Sequence, residues 1–145
     1  MTEWVLYLNR RRLYMFSVII LSMIIAIIVD YNFTIEKPTY FEGKYNMQIV
    51  YFLILYKLIE LPILYYLLFH RYVSQVIRKI NNKESFVKLK KHTKLLFFLI
   101  PQGNIVFGVI SYKVSGEISY FFIFTIIAII ALFMTKPNRF LQYNN

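Results

Sequence analysis

Residues 45–69 read YNMQIVYFLILYKLIELPILYYLLF, and whether this stretch crosses a membrane decides the fold. At about 1.5 Å per helical residue it is long enough for the ~30 Å hydrocarbon core of a bilayer. It also carries Lys57, Glu60 and Pro62, which a spanning helix would have to accommodate. Its fourteen Leu, Ile, Val and Phe residues favour insertion by about 4 to 8 kcal/mol, while a central lysine and a central acid together cost about 5 to 7 kcal/mol. The balance is near zero, so the neighbours decide.

Those neighbours are clear. Leu13–Val29 is 17 residues without a charge, and Leu95–Tyr112 and Ile118–Thr135 are 18 each. Each is roughly 25 to 27 Å long as a helix, a little under the hydrocarbon thickness. Tyr14, Tyr31, Tyr45, Tyr72, Tyr112 and Tyr120 lie near their ends, where a ring is buried and its hydroxyl stays wet. Standing between such segments, with flanks of opposite charge character, 45–69 reads as a span too. The expected fold is all-α, a polytopic membrane protein of four transmembrane helices forming one domain over 1–145. The spans fall at about 13–30, 45–69, 95–112 and 118–135, with a basic loop at 70–94.

The composition agrees. The chain has 145 residues, 59% of them hydrophobic and 17% charged, against about 25% charged in soluble domains. With no Cys at all, thiol nucleophiles, disulfides and thiolate metal sites are excluded, and so is a small disulfide scaffold. Arg10, Arg11 and Arg12 before an apolar run resemble the start of a signal peptide. However, 17 apolar residues exceed an ordinary h-region, and Asp30-Tyr31-Asn32 offers no small-residue cleavage site. The first span is read as a retained anchor.

Charge sets the orientation. Apart from Lys57, thirteen of the Lys and Arg residues fall in the N-terminal segment, the 70–94 loop and the C-terminal tail, and three (Lys37, Lys44, Lys113) fall in the other loops. Positive loops stay cytoplasmic, which places both termini inside, in a plasma (inner) membrane. The pI of 9.8 is thereby accounted for without a nucleic-acid partner. The opposite loops are a surface connection at 30–44, containing Pro38 and Gly43, and a turn at 113–117, containing Gly116.

Within the basic loop, Val73, Val76, Ile77 and Ile80 have helical spacing, and Asn81 with Glu84 resembles a capping box ahead of Phe86, Val87 and Leu89. Arg71, Arg78, Lys79, Lys88, Lys90 and Lys91 are the expected contacts to anionic lipid headgroups, at about 1 kcal/mol each, or to a protein partner.

One polar cluster recurs at mid-span. Lys57 and Glu60 are i, i+3 and close enough to pair, and Tyr56 is one turn from Glu60, positioned to donate its hydroxyl. Gln102 and Asn104 sit at the middle of the third window, Ser22 and Thr125 near the middles of the first and fourth. Polar groups in hydrocarbon need partners, so all are expected to face inward. Pro62 frees the Leu58 carbonyl as an acceptor for Lys57. Pro101-Gln102-Gly103-Asn104 is a poor helix interior, expected to kink or unwind as in broken transporter helices.

No P-loop, GxSxG, HExxH or dinucleotide fingerprint is present. His70 and His92 flank the basic loop away from mid-span, and the acids are too scattered for a metal set, so no cofactor is expected. The favoured reading is a non-enzymatic subunit or accessory protein of a membrane complex, touching anionic lipid and either another membrane protein or a second copy. The alternative is a small oligomeric transporter or channel for protons, ions or a small solute, using Lys57, Glu60, Gln102 and Asn104. An interfacial lipid enzyme built on His70 and Arg71 is the third.

Overall fold

The computed structural model describes residues 3–33, 44–66 and 83–135. These residues form four helices: α1 (Glu3–Asn32), α2 (Lys44–Leu64), α3 (Lys83–Ser115) and α4 (Ile118–Met134). Three carry segments long and apolar enough to cross a membrane: Val5–Asn32, Asn46–Leu64 and Phe97–Ser115. The 17-residue α4 is apolar but shorter.

The helices overrun the uncharged windows. α1 begins at Glu3 rather than Leu13, and α3 begins at Lys83 rather than Leu95. A charge limits where lipid can lie, but Arg and Lys are good helix formers and leave the backbone ladder intact. Glu3 and Glu84 stand in the first turns, where they complement the helix dipole. The expected basic loop is therefore helix from Lys83 onward. His70, Arg71, Arg78, Lys79, Asn81 and the 73–80 stripe lie outside the described residues.

The second turn is also tighter than the charges imply. α3 runs through Lys113 to Ser115, leaving only Gly116 and Glu117 to reverse the chain. Gly116 has φ 71°, and its N–H donates to the Tyr112 carbonyl at 2.8 Å, the left-handed stop that favours glycine. Ser115 Oγ then accepts the Glu117 N–H at 3.1 Å, and α4 starts antiparallel to α3. Gly108 lets the two helices close: a Cβ there would meet Phe121 Cδ2 at 3.0 Å and the Phe121 carbonyl at 3.4 Å.

α1 packs on this hairpin through Leu8, Arg12, Met15 and Ile19, a buried i, i+4, i+7, i+11 stripe, against Phe97, Ala128 and Leu132. Phe16 meets Phe133 edge-on at 5.3 Å. The buried Arg12 caps α4 from the neighbouring helix: its Nε donates to the Leu132 carbonyl at 3.0 Å. The Thr135 hydroxyl donates to the same oxygen at 2.8 Å, so an end carbonyl without an intrahelical partner gains two. At the far end the Tyr112 hydroxyl donates to Asp30. The start of α1, the start of α3 and the end of α4 thus share one end of the fold, and the α3–α4 turn is at the other.

α2 lies on the hairpin with α3 as its main neighbour and makes at most marginal contact with α1. Tyr51 meets Tyr120 at 6.5 Å, Tyr56 meets Phe107 at 6.0 Å, and Phe107 stacks on Phe124 at 6.3 Å. Pro62 is taken into α2 without ending it, and the helix runs into a wider π-type turn at 65–66. Removal of one backbone donor favours such a local re-pairing.

Candidate functional site

The mid-window residues of α2 and α3 do come together. Lys57 is 5% exposed and forms an ion pair with Glu60, whose side chain is 25% exposed. The ammonium lies 4.6 Å from the centre of the Phe107 ring and 5.8 Å from that of Tyr56. A Cβ at Gly103 would stand 3.5 Å from Lys57 Nζ, so the cation rests against the α3 backbone where no side chain intervenes. One charged group is thus surrounded by a carboxylate, two aromatic faces and a glycine. Cation–π contact gains strength when the cation is desolvated, as Lys57 is here.

Several expected contacts differ. Tyr56 is 45% exposed and presents its ring to Lys57; its hydroxyl makes no bond to Glu60. The Leu58 carbonyl takes no bond from Lys57, whose ammonium donates to Glu60 instead. The stretch Pro101–Asn104 is continuous helix, not unwound. Asn104, fully buried, donates its amide to the Ile100 carbonyl at 2.7 Å within α3, so it does not bridge helices through that group. Its Oδ1 has no partner.

Ser22 is half-buried and Thr125 fully buried, and each makes its hydrogen bond within its own helix. Ser22 Oγ donates to the Ile19 carbonyl at 2.7 Å and Thr125 Oγ1 to the Phe122 carbonyl at 2.8 Å. A hydroxyl satisfied by its own preceding turn needs no partner across the bundle. Gln102 is half-buried. Among the described basic-end residues, Lys88, Lys90 and Lys91 are exposed on α3.

Two cavities are described, and neither is lined by Lys57, Glu60, Gln102 or Asn104. One, of about 290 Å³, is an apolar cleft among Ser22, Val29, Ile105, Val109, Tyr112 and Phe121. The other, of about 330 Å³, is a groove at the basic end. The described residues hold no group of three or more His, Asp or Glu able to bind a metal ion. The sequence reading missed the Arg12 cap, although its position on the stripe of Leu8, Met15 and Ile19 marked it as buried. It also missed Gly108, whose cost in a helix interior was the available signal.

No known family model, curated protein or solved structure matches the chain.

Proposed function

We propose that the chain is a small non-enzymatic subunit of a membrane complex, crossing a plasma (inner) membrane four times with both termini cytoplasmic. The observation that carries the subunit reading is the packing of the buried cation: Lys57 is occupied by Glu60, Phe107 and the α3 backbone at Gly103. A transport path needs water or solute at its ionisable group. A packed pair needs only its partners.

The fourth crossing is supported by the two-residue turn. A helix returning antiparallel along α3 shares its surroundings, and the 17 residues of α4 fall at the short end of the ~17–25 range for spans. The orientation is supported by charge: Arg10, Arg11 and Arg12 of α1 and Lys88, Lys90, Lys91 and Lys94 of α3 occupy the same end. The exposed apolar face of α2, including Phe52, Leu55, Ile59 and Ile63, is available to lipid or to a membrane partner.

Purification of the full chain in mild detergent, with a photo-cross-linker at Leu55 or Ile59, tests this. The expected result is a discrete cross-link to another membrane protein or to a second copy, and no solute flux from reconstituted vesicles. Proton or ion flux driven by the chain alone, as monomer or oligomer, and lost in a Glu60→Gln protein that is still folded, would replace the subunit reading with the transporter.

A further inference from the structure

We propose that the groove between the basic ends of α1 and α3 binds the phosphate headgroup of an anionic phospholipid. The site rests on the membrane reading above but includes neither Lys57 nor Glu60 in its lining. Its lining is Arg11, Tyr14 and Met15 from α1 and Lys91, Lys94 and Phe98 from α3, enclosing about 330 Å³. Three residues with cationic heads border one largely apolar space, and no carboxylate-bearing residue does. Like charges held together repel, and a bound anion removes that cost. A guanidinium adds a planar fork suited to phosphate oxygens.

The spacing of these cations is fixed by the fold. Tyr7 lies between the two helices, with Arg11 at 5.5 Å and Lys90 at 5.5 Å from its ring centre. Its hydroxyl also reaches the Lys90 carbonyl at 3.5 Å. The helix ends are therefore held in register, and Arg11 of α1 borders the same groove as Lys91 and Lys94 of α3.

The groove is also amphiphilic in the right order. Arg11 stands one turn before the buried Met15, and Lys94 one turn before the exposed Phe98. Moving from the basic end inward, charge gives way to apolar surface within about one helical pitch. A soluble phosphate would use only the cations. A phospholipid uses both, its headgroup at the charges and its chains along the exposed Phe98 and the apolar faces beyond, so the lipid is the assigned occupant.

The test is native mass spectrometry of the full chain released from detergent micelles containing phosphatidylglycerol or phosphatidylcholine. Wild type is expected to retain phosphatidylglycerol preferentially. Arg11→Gln/Lys91→Gln/Lys94→Gln is expected to lose that preference by roughly a hundredfold, about fivefold per cation. Arg10→Gln/Lys44→Gln/Lys113→Gln removes as much charge elsewhere and is expected to leave the preference in place. Phe98→Ser keeps every charge and is expected to weaken retention by roughly tenfold, which preserves the test where the triple variant fails to fold. Unchanged retention in the groove variants, equal loss in the control, or displacement of the lipid by an equal concentration of glycerol phosphate would overturn the site. A wild-type chain washed from membranes by alkaline carbonate would end the membrane reading itself; an embedded chain without lipid preference ends only the groove.

Discussion

Glu60→Gln is expected to remove most of the folded protein from the membrane fraction. The substitution leaves the ammonium of the buried Lys57 against Phe107 and Gly103 with no carboxylate. Breaking one side of a buried pair costs about 3–5 kcal/mol, because the surviving charge is uncompensated. That is comparable to a large part of the ~5–15 kcal/mol separating folded from unfolded chains. Replacing both partners, in Lys57→Met/Glu60→Met, removes the pair and its desolvation cost together, so abundance and melting temperature should return to near the wild-type level. Fluorescent-fusion size exclusion and thermal melting in detergent measure both. A Glu60→Gln chain that is as abundant and as heat-resistant as wild type would show that the pair does not hold the bundle together.

The second large effect is at Gly108. An added Cβ there meets Phe121 Cδ2 at 3.0 Å and Phe124 Cβ at 3.4 Å. The obstruction includes the α4 backbone through the Phe121 carbonyl, so a rotamer change cannot relieve a larger group. Gly108→Leu is expected to separate α3 from α4 and to abolish a cooperative melt. Gly108→Ala should lose about 1–3 kcal/mol to overpacking, partly offset by about 1 kcal/mol of helix propensity. Gly103→Ala is the control: its Cβ makes an ordinary 3.5 Å contact with Lys57 Nζ, so the propensity gain should appear almost undiminished. A Gly108→Leu protein melting with wild-type cooperativity would contradict the close α3–α4 contact.

Two membrane-length segments were legible in the sequence because their central runs, Leu13–Val29 and Leu95–Tyr112, lack charged residues and lipid excludes charge; the segment with Lys57 and Glu60 was legible only through those neighbours. The helix ends were not, because a gap between charges marks where lipid can lie and not where backbone hydrogen bonding stops; hence α1 starts at Glu3 and α3 at Lys83. Lys57 and Glu60 were legible as a pair since i, i+3 spacing alone brings them together. Their surroundings were not, because Phe107 and Gly103 come from another helix, whose rotation no local pattern fixes. Ser22 and Thr125 show the converse. Each shares the mid-window position that suggested a common cluster, but a carbonyl on its own helix satisfied it first.

The four-crossing arrangement with both termini inside is tested most directly by single-cysteine labelling, for which a chain with no native cysteine is well suited. Lys88→Cys and Glu117→Cys place thiols at exposed positions at opposite ends of the fold. With a membrane-impermeant maleimide on intact cells, Glu117→Cys should label at once and Lys88→Cys only after the membrane is opened. Labelling of Lys88→Cys in intact cells, or protection of Glu117→Cys until lysis, would contradict the topology.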